Sequence, residues 1–195
     1  MNLMEKQTAS LYTLEEKLSE LEAKVVPLKA KVVKLRSSVK GQSVADYRFA
    51  DWDGNTTSLS KLFGDRDSLI IIHNMGANCS YCTMWADGLN GLLPYLEKAS
   101  AVAMLNHDGI ERQKQVSKER GWKFRMLDAS RTSFFADMGF RDKDGLRPGT
   151  STFTRNPKGT VRRHAMAHFG PGDKFCPVFS FLDLLPSKIK KAFKP

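Results

Sequence analysis

Between Leu69 and Leu96 the chain reads LIIIHNMGANCSYCTMWADGLNGLLPYL, which puts a Cys-x-x-Cys pair where a strand hands over to a helix. Ser68 to Asn74 is an apolar, β-branched run between polar residues, the pattern of a strand covered on both faces. Gly76 and Asn78 break that run. Trp85, Leu89, Leu92, Leu93 and Leu96 then recur at helical spacing and form one apolar stripe. Cys79 and Cys82 therefore belong to the loop and the first turn of a helix.

The first turn of a helix carries unpaired N–H groups and a partial positive charge. A thiolate placed there is stabilised, and its pKa falls from about 8.5 to roughly 3.5–7.5. A second sulfur three residues on lies about one turn away, within reach of a mixed disulfide on the first. Cys79 is accordingly the expected nucleophile and Cys82 the resolving thiol. Two inert buried cysteines, or half of a zinc site, are the alternatives; the strand–loop–CxxC–helix context favours redox chemistry.

The three cysteines are too few for a disulfide framework. No N-terminal apolar run resembles a signal peptide, and no run is long enough to span a membrane. The expected compartment is the cytoplasm, with no membrane partner, where a CxxC is more often catalytic than structural. The net charge of +10 sits largely at the two ends, in Lys24 to Lys40 and Lys188 to Lys194. Basic termini attract nucleic acid or anionic surfaces, but no nucleic-acid motif accompanies them, so they read as solvated helix faces.

Leu14, Leu18, Leu21, Val25, Leu28, Val32, Leu35 and Val39 alternate spacings of four and three, a heptad pattern over more than three repeats. Pro27 is expected to kink that helix or divide it in two. The stripe fits a homodimer seam through residues 11–39, and equally an arm folded onto its own domain. A helical arm over residues 1–40 is thus expected ahead of a domain over 41–195. After a short linker come a hairpin around Asp53-Gly54, a helical turn from Leu59 to Phe63, the central strand and the CxxC helix to about Ala99. Val102 to Leu105 is the next strand; Asp108 caps a helix to Arg120, closed by Gly121. A strand over Phe124 to Leu127 and a short helix over Ser130 to Met138 follow. The charged loop Arg141 to Gly149 leads into a hairpin of Thr150–Thr154 and Thr160–Ala167 turning at Asn156-Pro157-Lys158-Gly159. An apolar run over Val178 to Leu185 and a short basic helix finish the chain. The order implies an α/β sandwich, a mixed sheet with helices on both faces.

This order of elements resembles the thioredoxin fold, a three-layer α/β/α sandwich with a mixed sheet. FTRNPKGTV is similar to the FxxxPxGxV element of thioredoxin-like peroxidases and thiol reductases. A closer resemblance is to the family named domain of unknown function 899, described as predicted dithiol–disulfide oxidoreductases. It is carried by the charged N-terminal helix, His73 late in the strand, CxxCTMWADG (Cys79, Cys82, Trp85, Asp87, Gly88), Gly121-Trp122, Phe153, His164, and LDLLP (Leu182, Asp183, Pro186). It implies a thioredoxin-like fold and a dithiol oxidoreductase activity, with no substrate named; a disulfide-bearing protein or a small thiol substrate is the expected partner, and no cofactor is expected. By alignment on FTRNPKG, Thr150 occupies the place of the thioredoxin cis-proline, and Pro148 lies two residues earlier. Ser80, Tyr81, Trp85 and Thr150 are the candidate substrate-binding residues. In peroxiredoxins the attacking cysteine is one turn further along, at a position like Cys82, so a thiol peroxidase is a rival reading. A non-enzymatic adaptor that works through the N-terminal helix is another.

His73 ends the central strand and is a candidate proton relay to the Cys82 thiolate; a buried histidine bound to its surroundings is the alternative. His164 and His168 would complete a Cys2His2 set with Cys79 and Cys82, but 81 residues separate Cys82 from His164 and the hairpin strand lies at the sheet edge, so no metal is assigned. Cys176 is either a third redox partner or a lone buried cysteine. Asp87 is about 140° around the helix from Cys82 and a poor base for it; a structural hydrogen bond or a surface role is expected instead.

Overall fold

A computed structural model describes residues 2–195. The chain divides after Lys40 into two compact units. The first is one α-helix, α1 (Leu3–Ser38). A capping box opens it: the Glu5 N–H donates to Asn2 Oδ1 at 2.9 Å, and the Asn2 N–H donates to Glu5 Oε2 at 2.8 Å. Pro27 lies inside α1 and does not divide it, contrary to one of the two expected outcomes. A single proline deletes one N–H from the ladder of a 36-residue helix. None of the described α1 residues is buried.

The second unit is built on an eight-stranded mixed sheet. Its strands are β1 (Gln42–Ser43), β2 (Arg48–Ala50), β3 (Thr56–Ser58), β4 (Ser68–His73), β5 (Ala101–Asn106), β6 (Arg125–Asp128), β9 (Gly149–Arg155) and β10 (Val161–His168), in the order β1-β10-β9-β4-β5-β6-β2-β3. The pairs β4–β5 and β5–β6 are parallel and the others antiparallel. Two small strands, β7 (Arg141–Asp142) and β8 (Gly145–Leu146), pair in the segment expected to be a charged loop. β1 also falls where only a linker was expected; it pairs through Gln42 with Arg163 and Ser43 with Arg162, so β10 is covered by β1 and is not the sheet edge expected of the second hairpin strand.

Alternation along β4 sorts the two cores. Leu69 and Ile71 point to one face, where they meet the 3-10 turn Leu59–Phe63 and the short helix α4 (Phe134–Asp137). Ile72 points to the other, where α2 (Ser80–Ala99), α3 (Ile110–Arg120) and α5 (Val178–Asp183) supply Trp85, Leu89, Leu93, Val116 and Phe179. The expected sandwich with helices on both faces is the fold observed. α4 is shorter than expected, beginning at Phe134 rather than near Ser130; Ser130 and Thr132 instead form bonds within the preceding turn. α6 (Ser187–Ala192) is the basic helix near the end of the chain. No helix among the described residues is long and apolar enough to cross a membrane.

α3 differs from expectation at its start. Its cap residue is Gly109, with no side-chain cap bond, and Asp108 is engaged elsewhere. The Asp108 carboxylate accepts from the Ala77 N–H at 2.8 Å and from Asn106 Nδ2 at 3.2 Å. It therefore holds the loop ahead of the cysteines. At the other end of α3, Gly121 closes the helix in the left-handed conformation as expected (φ 67°).

Candidate active site

The cysteine loop hangs between the C-terminal ends of two parallel strands. From β4, Asn74 Oδ1 accepts the Gly76 N–H at 2.7 Å, and Asn74 Nδ2 donates to the Cys82 carbonyl at 3.4 Å. From β5 comes the Asp108 bond to Ala77. Gly76 has φ +106°, and a Cβ there would lie 2.6 Å from Asp108 Oδ1, so only glycine fits this turn. The loop thus delivers Cys79 to the start of α2 on a fixed path.

Cys79 is the cap residue of α2, in extended conformation, and its sulfur accepts the Cys82 N–H at 3.2 Å. The Cys79 carbonyl meanwhile accepts from the Thr83 N–H at 3.0 Å and from Thr83 Oγ1 at 3.2 Å. A sulfur in the role usually filled by a serine or aspartate oxygen is best served as an anion. Cys79 is half-buried and Cys82 is buried. The Cys79 pKa is lowered from 9.0 to about 6, first by a hydrogen bond from the Cys82 thiol, then by the Cys82 and Tyr81 backbone N–H groups, against partial burial, which raises it. The Cys82 thiol is pushed up by the same bond, in which it is the donor, and by burial. Both shifts favour the proton on the inner sulfur and the anion on the outer one.

The other candidate residues fall into two groups. Ser80 and Tyr81 are exposed in the first turn of α2. Trp85 is buried one turn later; its ring packs against Phe169 at 5.9 Å and Phe179 at 5.8 Å, with Tyr81 at 6.3 Å. Its Nε1 donates to Asp173 Oδ1 at 3.4 Å, tying the Gly/Pro loop after β10 to the helix. Thr150 pairs with Ile72 across β4–β9 and so shares the α2 face of the sheet; its Oγ1 donates to the Ile71 carbonyl at 3.0 Å. The Pro148 peptide bond is trans.

His73 belongs to the second group. It shares the face of Leu69 and Ile71, opposite to α2, and the structure does not bring it to the sulfurs. Fully buried, it stacks on Phe140 at 3.7 Å, packs edge-on to Phe135, and shares a 3.0 Å hydrogen bond between Nε2 and Ser151 Oγ. Burial first, then the charges of Arg163 and His168, hold its pKa well below 6.5. The geometry is that of a neutral core histidine. A bulge between Arg163 and Ala165 interrupts β10 at His164, and His164 and His168 are both exposed. No group of three or more metal-ligating side chains occurs among the described residues.

Asp87 is the structural hydrogen-bonding group expected of it. It accepts from Trp122 Nε1 at 2.7 Å and from Arg120 Nε at 3.2 Å, with a second contact to Arg120 Nη2, locking α2 to the end of α3. Beside it, an open cleft of about 710 Å³ runs along the first two turns of α2, past Asn78, Ser80, Met84 and Arg120, to Cys176 and Val178. Cys176 is buried in its wall, and its N–H is held by Asp173 at 3.1 Å. The role of Asn74 and Asp108 in holding the cysteine loop, and the cleft, escaped the sequence reading. The available signal was two polar residues, Asn74 and Asp108, just beyond the ends of adjacent β-runs.

A family model described as "Bacterial protein of unknown function (DUF899)" matches residues 13–192. The chain belongs to this family. No curated protein matches it in sequence. Among solved structures, this DUF899 member is similar to the peroxidoxin BcpB of Mycobacterium tuberculosis (TM-score 0.51, 17% identity, 80% of this chain and 97% of that chain covered). It is also similar to a bacterioferritin comigratory protein of Xanthomonas campestris (0.55, 15%, 71% and 90%) and to a mutant PrxQ of Xylella fastidiosa (0.52, 14%, 77% and 94%). At these identities the likeness is one of fold, and the fold is thioredoxin-like with its Cys79–Cys82 pair at the start of α2.

Proposed function

We propose that this protein is a thiol–disulfide oxidoreductase in which Cys79 attacks and Cys82 resolves. The observation that carries the reading is the asymmetry of the pair: a half-buried outer sulfur that caps α2 and accepts the Cys82 N–H, its pKa lowered to about 6, and a buried inner thiol whose pKa is pushed up. The Cys79 thiolate attacks one sulfur of a substrate disulfide, forming a mixed disulfide and expelling the other sulfur as a thiolate, which takes a proton from water. Cys79 then no longer carries the anion that keeps Cys82 protonated, so the Cys82 pKa drops. Cys82 loses its proton to solvent and attacks Cys79 Sγ, closing the Cys79–Cys82 disulfide and releasing the second substrate thiol. Two electrons pass to the substrate, and an external dithiol returns the pair to its reduced state. The cleft beside α2, lined by Asn78 and Ser80, the chain neighbours of Cys79, offers substrate a surface.

The test is turnover of a small aromatic disulfide by the full chain. Cys79→Ser should abolish it, and Cys82→Ser should accumulate a mixed disulfide visible by intact mass. Turnover that survives Cys79→Ser would end the proposal. A second reading, a thiol peroxidase attacking from Cys82, draws on the fold neighbours, one of which is described by its alkyl peroxide reduction activity. The buried, protonated Cys82 sulfur counts against it. Stopped-flow mixing of Cys79→Ser and of Cys82→Ser with hydrogen peroxide separates the two: fast oxidation confined to the Cys79→Ser chain, located at Cys82 by peptide mass, supports the peroxidase.

A further inference from the structure

α1 presents an exposed apolar seam along its length. Numbered as a heptad, positions a are Leu18, Val25, Val32 and Val39, and positions d are Leu14, Leu21, Leu28 and Leu35. Each of these eight is at least 40% exposed. Apolar side chains at every a and d position from Leu14 to Val39 make the seam of a coiled coil. Pro27 falls at position c, on the outer side, away from the seam.

The charges set the direction. From Leu3 to Glu22 the helix has five glutamates and two lysines, net −3; from Ala23 to Ser38 it has five basic residues and no acid, net +5. Flanking positions e and g decide orientation in coiled coils. In a parallel pair each g faces the next e of the other helix. That arrangement gives Lys17–Glu22 twice, against Lys24–Lys29 and Lys31–Arg36 twice each: two attractive contacts and four repulsive. In an antiparallel pair e faces e and g faces g. It gives Glu15–Arg36 and Glu22–Lys29 twice each, against Lys24–Lys31 twice: four attractive contacts and two repulsive. The same antiparallel register stacks Leu14 on Val39, Leu18 on Leu35, Leu21 on Val32 and Val25 on Leu28, so every a meets a d.

We propose that α1 pairs with α1 of a second copy of this chain as an antiparallel two-stranded coiled coil centred near Pro27. The two Val39 residues then lie about 38 Å apart at 1.5 Å rise per residue, and the chains leave the coil at opposite ends.

The experiment is sedimentation equilibrium on the full chain and on two charge variants, Glu15→Lys/Glu22→Lys and Lys29→Glu/Arg36→Glu. The unmodified chain should sediment at twice the chain mass. Each variant alone should dissociate at least about tenfold more readily, since its e–e contacts all become like-charged. An equimolar mixture should recover the doubled mass, because every e–e contact across the two different chains is then opposite in sign; that recovery also shows that both variants are folded. A single-chain mass for the unmodified protein at micromolar concentration overturns the proposal, as does a mixture that stays monomeric. Tighter self-association of Lys29→Glu/Arg36→Glu overturns the antiparallel direction, because in a parallel pair those two exchanges turn the repulsions facing Lys24 and Lys31 into attractions.

Discussion

The asymmetry of the cysteine pair predicts a particular pH dependence of Cys79 reactivity, and how that dependence changes when Cys82 loses its sulfur. With a pKa of about 6 against the ordinary 9.0, Cys79 is depressed by about three units. At pH 7 the depressed thiol is about 90% thiolate and the ordinary one about 1%, roughly a ninetyfold difference in the reactive form. Nucleophilicity falls with basicity: at a Brønsted slope of about 0.4–0.5, three units cost about twentyfold. The net advantage at pH 7 is therefore only about fourfold. At pH 5 the thiolate fractions differ by about 900-fold, so the advantage becomes about 45-fold; near pH 9 it reverses, and Cys79 is about tenfold slower than an ordinary thiol. The assay is alkylation by iodoacetamide from pH 4.5 to 9.5, with the modified site located by peptide mass and free glutathione as the comparator. The Cys79 rate should rise through a midpoint near 6 and then stay flat. Cys82→Ala removes the largest lowering contribution and should move the midpoint up towards 9.0, slowing the pH 5 reaction about three- to fourfold for each unit moved, because the higher nucleophilicity offsets part of the lost thiolate. Cys82→Ser retains a donor and should lie between. A midpoint near 9 in the unmodified protein, or no movement in Cys82→Ala, would refute the account of the pair.

Other consequences concern the framework around the site. His73 is buried neutral with its pKa held well below 6.5 while the unfolded chain titrates normally, so below pH 6.5 the unfolded state binds a proton that the folded state does not. Its stability should fall by about 1.4 kcal/mol per pH unit on that account alone. His73→Leu, less stable at pH 8 because Ser151 loses its partner, should show a shallower slope between pH 6.5 and 5 in urea titrations. Asp87→Ala strips the buried Trp122 N–H of its acceptor and should cost about 1–3 kcal/mol, with Asp87→Asn costing less, read from urea midpoints. Gly149→Ala puts a Cβ 2.3 Å from Phe140 Cε1 and 2.4 Å from the Ala167 carbonyl, and should destabilise by about 1–3 kcal/mol or more in thermal melts.

The architecture was readable where periodicity is local. A β-branched run, a Cys-x-x-Cys and a 3.6-residue stripe within thirty residues are enough to place both sulfurs at a helix start, and the heptad in residues 11–39 marks a long helix. What resisted reading depends on partners far along the chain. Asp108 has the usual look of a cap, but its carboxylate is drawn 31 residues back to the Ala77 N–H, and a nearest-neighbour rule cannot see that competition. Asp87 and Trp122 meet across 35 residues, so their motifs read as two separate marks when they form one joint. The placement of His73 has a different cause. Alternation groups it with Leu69 and Ile71, but a strand buried on both faces is apolar throughout, and no polar face reveals which side α2 will cover. The proton-relay reading needed His73 on the α2 side. The fold places it across the sheet, between Phe140 and Ser151, on the face opposite the helix that carries the two sulfurs.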